Sequence, residues 1–262
     1  MSARPIGIFD SGVGGLSVAA EVRRVLPAED LVYVADAANF PYGDRPAAEV
    51  RERALAIGRH LESEGAKLLI VACNTATGAA LERLREAVHV PAVGLEPAVK
   101  TGAVRTRSGR MGVMATAGTL ASERFARLVR EHAAGLTVVP QACPGLVDLI
   151  EEGELDGERL RALLDRLTAP LRAAEVDAVV LGCTHYAFVR APLAAVLGPG
   201  VELIDSAPAI ARRTQSLLDQ SGMRAREGEG SLRLLTTGDP GAMAAIAARL
   251  IDRASPVERL AI

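Results

Sequence analysis

Short apolar segments alternate with longer amphipathic segments along almost all of this 262-residue chain. Each apolar segment is bounded by Gly, Pro or Asp, and the segment that follows spaces its apolar residues as a helix does. Parallel βα units produce this alternation, because a crossover must return the chain to the same end of the sheet after each strand. The sequence therefore predicts an α/β protein with mostly parallel sheets flanked by helices.

The predicted elements follow directly from this alternation. Strands are predicted near residues 5–9, 31–35, 68–72, 91–94, 110–115, 136–140, 177–181, 201–204 and 232–236. Helices are predicted over residues 47–64, 76–88, 120–132, 157–174, 187–197 and 208–220. Residues 96–110 and 203–208 are predicted to be linkers, and the Gly-rich, charged residues 221–231 to be a surface loop.

The second half of the chain repeats features of the first half. Residues 6–12 and 31–34 each resemble a segment 105 residues further along, and residues 69–75 resemble a segment 110 residues further along. Apolar strands resemble one another by chance, but the last match also aligns two cysteines, Cys73 and Cys183. Three matches in the same order predict a duplicated lobe.

Composition excludes several classes of function. Thirty basic and 32 acidic residues give a net charge of −2, which provides no general attraction to nucleic acid or to anionic membranes. With three Tyr, four Phe and no Trp, the chain has few side chains on which bases could stack. No apolar leader is present and no apolar run approaches the roughly 20 residues that span a bilayer, so the protein is predicted to be cytoplasmic.

Three widely separated cysteines are the main candidates for chemistry. Cys73 and Cys183 each follow a predicted strand and precede a polar turn, which predicts a place at the ligand-binding edge of an α/β sheet. Backbone N–H groups at the start of a following helix favour a thiolate there, and also a bound carboxylate. Cys143 is followed at once by Pro144 and has no polar companion, so we interpret it as structural. An odd number of cysteines without Cys-x-x-Cys spacing predicts neither a disulfide scaffold nor a structural zinc site.

Other polar residues near these strand ends could assist a thiol. Asp10 ends the first predicted strand and opens a Gly-rich loop that lacks the spacing of a dinucleotide-binding motif. His185 lies two residues after Cys183, and Glu151 and Glu152 lie near a predicted helix end. Two thiols with no metal-ligand cluster and no cofactor motif favour proton transfer at a carbon, which is racemisation or epimerisation. A free thiol has a pKa of about 8.5, so each thiol would need a helper at neutral pH.

Four motifs occur in chain order at residues 10–16, 41–43, 73–76 and 182–185, and they read DSGVGGL, PYG, CNTA and GCTH. Together they resemble the aspartate/glutamate racemase family, and its glutamate racemases in particular. The resemblance implies an isomerase, without cofactor or metal, that interconverts L- and D-glutamate and supplies D-glutamate for peptidoglycan synthesis, and hence for the cell wall and cell shape. It also implies two similar α/β lobes, related by a pseudo-twofold axis, with glutamate bound in the cleft between them.

The resemblance implies a role for each residue that matches a family motif. The catalytic residues would be Cys73, Cys183, Asp10, His185 and Glu151. The two cysteines would be the acid/base pair. The family often has Cys-Pro-Leu before an acidic helix, whereas this chain reads CPGLVDLIE over residues 143–151, and this looser match leaves Glu152 as an alternative to Glu151. The substrate-binding residues would be Asp10, Ser11, Tyr42, Gly43, Asn74, Thr75, Thr116, Thr119, Thr184 and His185.

We expect the first lobe to comprise residues 1–97 and 207–262 and the second to comprise residues 98–206. The expected partner is the small molecule glutamate, with no nucleic acid and no membrane, and a homodimer is left open. A two-cysteine racemase of aspartate or of a hydantoin is the nearest alternative. A cysteine hydrolase would not need the second thiol in an equivalent setting, and a non-catalytic amino-acid-binding module would need neither.

Overall fold

The computed structural model describes residues 4–251 and 256–262. Its strands are β1 Ile6–Asp10, β2 Leu31–Ala35, β3 Leu68–Val71, β4 Ala92–Gly94, β5 Arg110–Ala115, β6 Thr137–Ala142, β7 Ala178–Gly182, β8 Glu202–Ile204, β9 Leu232–Thr236 and β10 Val257–Arg259. Its helices are α1 Leu16–Val25, α2 Ala47–Ser63, α3 Asn74–Ala87, α4 Val99–Arg105, α5 Ala117–Leu120, α6 Glu123–His132, α7 Leu146–Glu151, α8 Glu158–Ala173, α9 Arg190–Leu197, α10 Ala207–Ser221 and α11 Pro240–Leu250. Shorter 3₁₀ turns cover Ala37–Asn39, Tyr42–Asp44 and Thr184–Val189.

The chain divides into two compact units, the first of which contains Met1–Leu95 and Ala207–Ile262. The strands of this unit form one parallel sheet in the order β10, β9, β2, β1, β3, β4. Helix α2 packs against α3, and α1 packs against α10. The apolar runs that predicted β1, β2 and β3 are wholly buried, because they form the middle of a sheet covered by helices.

The second unit contains Glu96–Ser206 and has a parallel sheet in the order β6, β5, β7, β8. Strand β7 is wholly buried, whereas β6 lies at the edge of the sheet, contains Pro140 and is partly exposed. Proline is tolerated there because an edge strand needs fewer hydrogen-bond donors. Two parallel sheets flanked by helices confirm the predicted α/β fold class.

The two units repeat one arrangement of four strands. The order β2, β1, β3, β4 in the first unit corresponds to β6, β5, β7, β8 in the second. Ile8 pairs with Ile70, and the residues that the sequence repeat aligns with them, Val113 and Val180, pair in the same way. The sequence repeat therefore reflects a repeated strand pairing in each unit.

The match between β2 and β6 is displaced by two residues relative to the sequence alignment. Ile6 pairs with Leu31 in the first unit, whereas Met111 pairs with Val138 rather than with Leu136 in the second. Side chains alternate between the faces of a sheet with a period of two residues. The displacement therefore changes the register of this strand pair but leaves each side chain on its original face.

Two predicted segments differ from the structure. Residues 96–110 are not only a linker, because they contain α4, whose Gly102 is buried against the sheet of the second unit. The helix predicted over residues 120–132 is divided into α5 and α6, because the Ser122 side chain accepts a hydrogen bond from the N–H of Phe125 at 3.1 Å and starts a new helix. Among the described residues, no helix combines the length and the apolar character needed to span a bilayer.

Candidate active site

In the first unit, polar residues cluster where the central strands end. Because the sheet is parallel, β1, β2, β3 and β9 all end at the same edge. Asp10 is the last residue of β1, and Asp36 and Thr237 directly follow β2 and β9. Cys73 lies at the same edge, two residues beyond β3. One of the two predicted catalytic cysteines is therefore at the ligand-binding edge of its sheet.

Cys73 is the N-cap residue of α3. Its Sγ accepts a hydrogen bond from the backbone N–H of Ala76 at 3.5 Å, and only 7% of the residue is exposed. The N–H groups of the first helical turn and the positive end of the helix dipole stabilise negative charge at this position. They favour the thiolate, which is the form of cysteine that can accept a proton.

Asp10 is buried in the strand next to the one that leads to Cys73. Its Oδ1 accepts a hydrogen bond from the N–H of Ser11 at 2.7 Å and another from the Ser11 hydroxyl at 3.4 Å. The Gly-rich loop folds back on this carboxylate so closely that a Cβ at Gly15 would lie 3.0 Å from the Asp10 Cβ and 2.9 Å from the Tyr33 hydroxyl. Glycine at position 15 therefore lets the loop cover Asp10.

Asn74 begins α3 and is 7% exposed. Among the described residues, neither its Oδ1 nor its Nδ2 has a hydrogen-bond partner. A buried polar group without a partner costs about 1–3 kcal/mol. The Asn74 amide lies next to Cys73, and a ligand bound there could supply the missing hydrogen bonds. A ligand carboxylate, for example, could accept a hydrogen bond from Nδ2. Thr75 follows it in the same helical turn.

The Tyr42 side chain lies in the interior of the first unit. It is 1% exposed, and its hydroxyl donates a hydrogen bond to Asp36 Oδ2 at 2.5 Å. Burial raises the pKa of Tyr42, and the negative charge of Asp36 raises it further. The phenol therefore remains protonated with its one proton donated to Asp36. The 3₁₀ turn Tyr42–Asp44 can therefore present its backbone at the site, including the backbone of Gly43, but not the Tyr42 side chain.

Asp36 is a site residue to which sequence reasoning assigned no role. It is fully buried, and its two oxygens pair with the guanidinium of Arg53 at 2.9 and 3.0 Å. Burial would raise the pKa of Asp36, but hydrogen bonds from Arg53, Tyr42 and Thr237 lower it instead. Like Asp10, it stands at the end of a predicted strand, and that position is the signal that could have identified it.

In the second unit, β5, β6 and β7 also end at one edge, and Thr116, Cys143 and Cys183 directly follow them. Thr116 caps α5 by accepting a hydrogen bond from the N–H of Thr119 at 3.2 Å, and its hydroxyl lies 3.0 Å from that of Thr119. Two hydroxyls are therefore held together beside the strand end that leads to Cys183. Thr184, next to this cysteine, is buried as well.

Cys183, His185 and Glu151 form a hydrogen-bonded chain. The Cys183 Sγ lies 3.6 Å from His185 Nδ1, and His185 Nε2 lies 2.7 Å from Glu151 Oε1. His185 is 2% exposed, and burial alone would lower its pKa. Hydrogen bonds to Cys183 and Glu151, together with their negative charges, outweigh burial and raise the pKa of His185 well above its usual value. The imidazolium of His185 is therefore held beside the Cys183 thiol by the carboxylate of Glu151.

The structure places Glu151, rather than Glu152, next to the histidine. Helix α7 ends at Glu151, whose carboxylate reaches His185. Glu152 points away and forms an exposed ion pair with Arg159 at 3.3 Å.

Cys143 has different surroundings from the other two cysteines. It is buried, and its thiol donates a hydrogen bond to the carbonyl of Gln141 at 3.4 Å. Burial raises the pKa of the Cys143 thiol to about 12, so it remains protonated at neutral pH. Within residues 4–251 and 256–262, no three His, Cys, Asp or Glu side chains are grouped so as to hold a metal ion.

Comparison with known proteins agrees with this geometry. The family model described as Asp/Glu/Hydantoin racemase matches residues 13–214. A glutamate racemase of Herpetosiphon aurantiacus is 48% identical over 94% of this chain and 97% of its own length. The structure of Escherichia coli glutamate racemase in complex with L-glutamate and the activator UDP-MurNAc-Ala is 33% identical, has a TM-score of 0.88 and matches over 98% of both chains. The Francisella tularensis glutamate racemase in complex with D-glutamate is 26% identical, has a TM-score of 0.88 and matches over 100% of this chain and 98% of its own. This chain therefore belongs to the Asp/Glu/Hydantoin racemase family.

Proposed function

We propose that the protein is a glutamate racemase that interconverts L- and D-glutamate without a cofactor. The observation that carries this proposal is the pair of thiols at equivalent strand ends of two sheets that share one order of four strands. Each thiol has a polar neighbour, which is a helix N-terminus for Cys73 and His185 for Cys183. Two thiols with such polar neighbours can serve as the base and the acid of one proton-transfer reaction.

In the proposed reaction, one thiolate removes the α-proton of glutamate and leaves the electron pair on Cα, where it is delocalised into the α-carboxylate. The other thiol gives its proton to the opposite face of Cα, and the electrons of its S–H bond stay on sulfur as a thiolate. The configuration at Cα is inverted, and the two cysteines have exchanged protonation states. The reverse reaction uses the same groups in the opposite order.

The polar residues near each thiol would hold the charged groups of the substrate. The buried amide of Asn74 and the first turn of α3 suit a carboxylate, because both can donate hydrogen bonds to it. The buried carboxylate of Asp10 suits the α-ammonium group. The remaining groups that we assign to substrate binding are Ser11, Tyr42, Gly43, Thr75, Thr116, Thr119, Thr184 and His185.

Similarity to known enzymes supports glutamate as the substrate, rather than aspartate or a hydantoin. The relatives of this chain include the Herpetosiphon aurantiacus glutamate racemase, and two related structures hold L-glutamate and D-glutamate respectively. A supply of D-glutamate for peptidoglycan in the cytoplasm is part of this proposal.

Circular dichroism of the substrate tests the proposal. The protein would be dialysed against EDTA, kept in a thiol reductant and incubated separately with L-glutamate, D-glutamate and L-aspartate. We expect the ellipticity of both glutamate enantiomers to decay to zero and that of aspartate to persist. A non-catalytic binding module would leave all three signals unchanged. Activity that needed added metal or pyridoxal phosphate would contradict cofactor independence.

A further inference from the structure

Asp36 is the centre of a network of buried hydrogen bonds next to the site residues of the first unit. The carboxylate accepts two hydrogen bonds from Arg53 and one each from Tyr42, Asn39 and Thr237, at distances from 2.5 to 3.1 Å. All of these donors belong to the first unit.

The donors come from separate parts of that unit. Arg53 lies on α2 and Thr237 follows β9, whereas Asn39 and Tyr42 belong to the segment between β2 and α2. The Thr237 hydroxyl also accepts a hydrogen bond from the N–H of Ala38 at 3.1 Å, and the N–H of Asp36 donates to the carbonyl of Asp10 at 2.9 Å. Through hydrogen bonds to the Asp36 carboxylate, the segment that contains the Tyr42–Asp44 turn is therefore linked to α2 and to the ends of β2 and β9.

We propose that Asp36 is a positioning residue, which fixes the Tyr42–Asp44 turn in the place where Tyr42 and Gly43 meet the substrate. This inference rests on the proposed function, because that proposal assigns both residues to substrate binding. Asp36 is fully buried and both of its oxygens are already bonded, so it acts through the turn rather than on the substrate.

The network requires a carboxylate at this position. Hydrogen-bond donors converge on both oxygens of Asp36, and one of them is the charged guanidinium of Arg53. An asparagine has one acceptor oxygen, and its NH₂ group would face a donor and leave the guanidinium without a charged partner. The Asp36→Asn substitution should therefore release the turn while it leaves the size of the side chain unchanged.

Asp36→Asn is compared with Glu29→Gln as a matched control. Glu29 is also a buried carboxylate, and it pairs with Lys67 at 2.6 Å, but it precedes β2 and so lies at the opposite edge of the same sheet. We expect Asp36→Asn to raise KM for glutamate about tenfold or more with a smaller change in kcat, which is the pattern of lost substrate binding. Glu29→Gln should lower the melting temperature but keep KM within about twofold of the original.

Two milder variants decide the matter if Asp36→Asn does not fold. Tyr42→Phe and Thr237→Val each remove one hydroxyl donor to Asp36, and each should raise KM by about threefold or more. Thr214→Val is their control, because the buried Thr214 hydroxyl on α10 has no hydrogen-bond partner among the described residues and lies outside the network. The double variant of Asp36 and Tyr42 should raise KM no further than Asp36→Asn alone, since both changes act on one connection.

KM values in the network variants equal to those of their controls, or additive effects in the double variant, would overturn the positioning role. Failure of this role and failure of the proposed function give different results. If the unaltered protein does not racemise glutamate, both proposals are rejected. If the unaltered protein is active and the network variants bind glutamate normally, only the role of Asp36 is rejected.

Discussion

Cys73 and Cys183 have different kinds of polar neighbour. Cys73 receives a backbone hydrogen bond at the start of a helix, a contribution that does not titrate. Cys183 lies beside His185, whose charge depends on pH and on Glu151. The thiol of Cys73 therefore contacts a backbone group, whereas the thiol of Cys183 contacts a side chain. The two cysteines should respond differently to substitution of their neighbours.

Substitution of each cysteine separates the catalytic thiols from the structural one. Positioned acids and bases contribute about 10²–10⁴-fold to a rate, so Cys73→Ala and Cys183→Ala should each lower kcat by at least about 10²-fold. Cys143→Ala should retain most of the activity, because the thiol of Cys143 is buried and protonated. Initial rates with both enantiomers of glutamate measure the effect. Near-normal turnover by either of the first two variants would be incompatible with the two-thiol mechanism.

Substitution of Glu151 should change the pH dependence of the reaction. The carboxylate of Glu151 helps to raise the pKa of His185, so Glu151→Gln should lower that pKa. Activity that needs the imidazolium is present below the pKa of His185 and is lost as the pH rises through it. The alkaline limb of the kcat/KM profile should therefore move to lower pH in Glu151→Gln. Glu152→Gln is the control, since Glu152 forms an exposed ion pair with Arg159, and equal profiles for the two variants would reject the assignment.

Sequence motifs identified the side chains next to the thiols, but not the contacts behind them. His185 lies two positions from Cys183, so its proximity follows from the chain itself. Asp36 is bonded to Thr237, which is 201 residues away in the sequence. That pairing exists because β9 lies beside β2 in the sheet, and no local pattern reports it. The Tyr42 side chain turns inward to the same carboxylate, and no sequence motif reports that contact either.

At the level of elements, the strands with continuous apolar runs were the easiest to predict. Strands β1, β3 and β7 were predicted because their continuous apolar runs are wholly buried. Strand β10 has only three residues, reads VER and is mostly exposed, so it carries no apolar signal. Helix α11, which was not predicted, does carry a start signal in the sequence. Asp239 caps the helix by accepting a hydrogen bond from the N–H of Ala242 at 2.6 Å, and Pro240 stands at the first helical position.

The end of β7 gives a prediction about how Cys183 is held. A Cβ at Gly182 would lie 2.9 Å from the Cβ of Ala115 and 3.0 Å from the backbone oxygen of Met114, and backbone cannot move aside easily. Gly182→Ala should therefore lower the free energy of unfolding by about 1–3 kcal/mol and reduce turnover. Urea denaturation and initial rates measure both effects. Gly241→Ala, at an exposed position of α11 where a Cβ would lie 3.2 Å only from the side-chain Oδ1 of Asp239, is the control and should change the free energy of unfolding by less than about 1 kcal/mol. A fully stable, active Gly182→Ala variant would show that the strand end tolerates a side chain.

At the level of the whole molecule, each unit carries one thiol of the proposed acid/base pair. The repeated strand order places Cys73 and Cys183 after corresponding strands, β3 and β7, so in the proposed mechanism the duplicated architecture would supply two acid/base groups instead of one. Cys73 and Cys183 are distinct groups, each with its own proton to take up or release. If both act on the same Cα, the proton removed and the proton delivered must reside on different sulfurs.

Isotope exchange in D₂O tests this separation. A thiol equilibrated with solvent carries deuterium, so L-glutamate should give D-glutamate labelled at Cα, while L-glutamate recovered early should still carry hydrogen. A single base that served both faces would instead return deuterium to the recovered substrate, or pass the original hydrogen to the product. Proton NMR of both enantiomers at low conversion distinguishes these outcomes, because reversal is then negligible. Substantial early deuterium in recovered L-glutamate would reject the two-base assignment of Cys73 and Cys183, even if both cysteines proved essential.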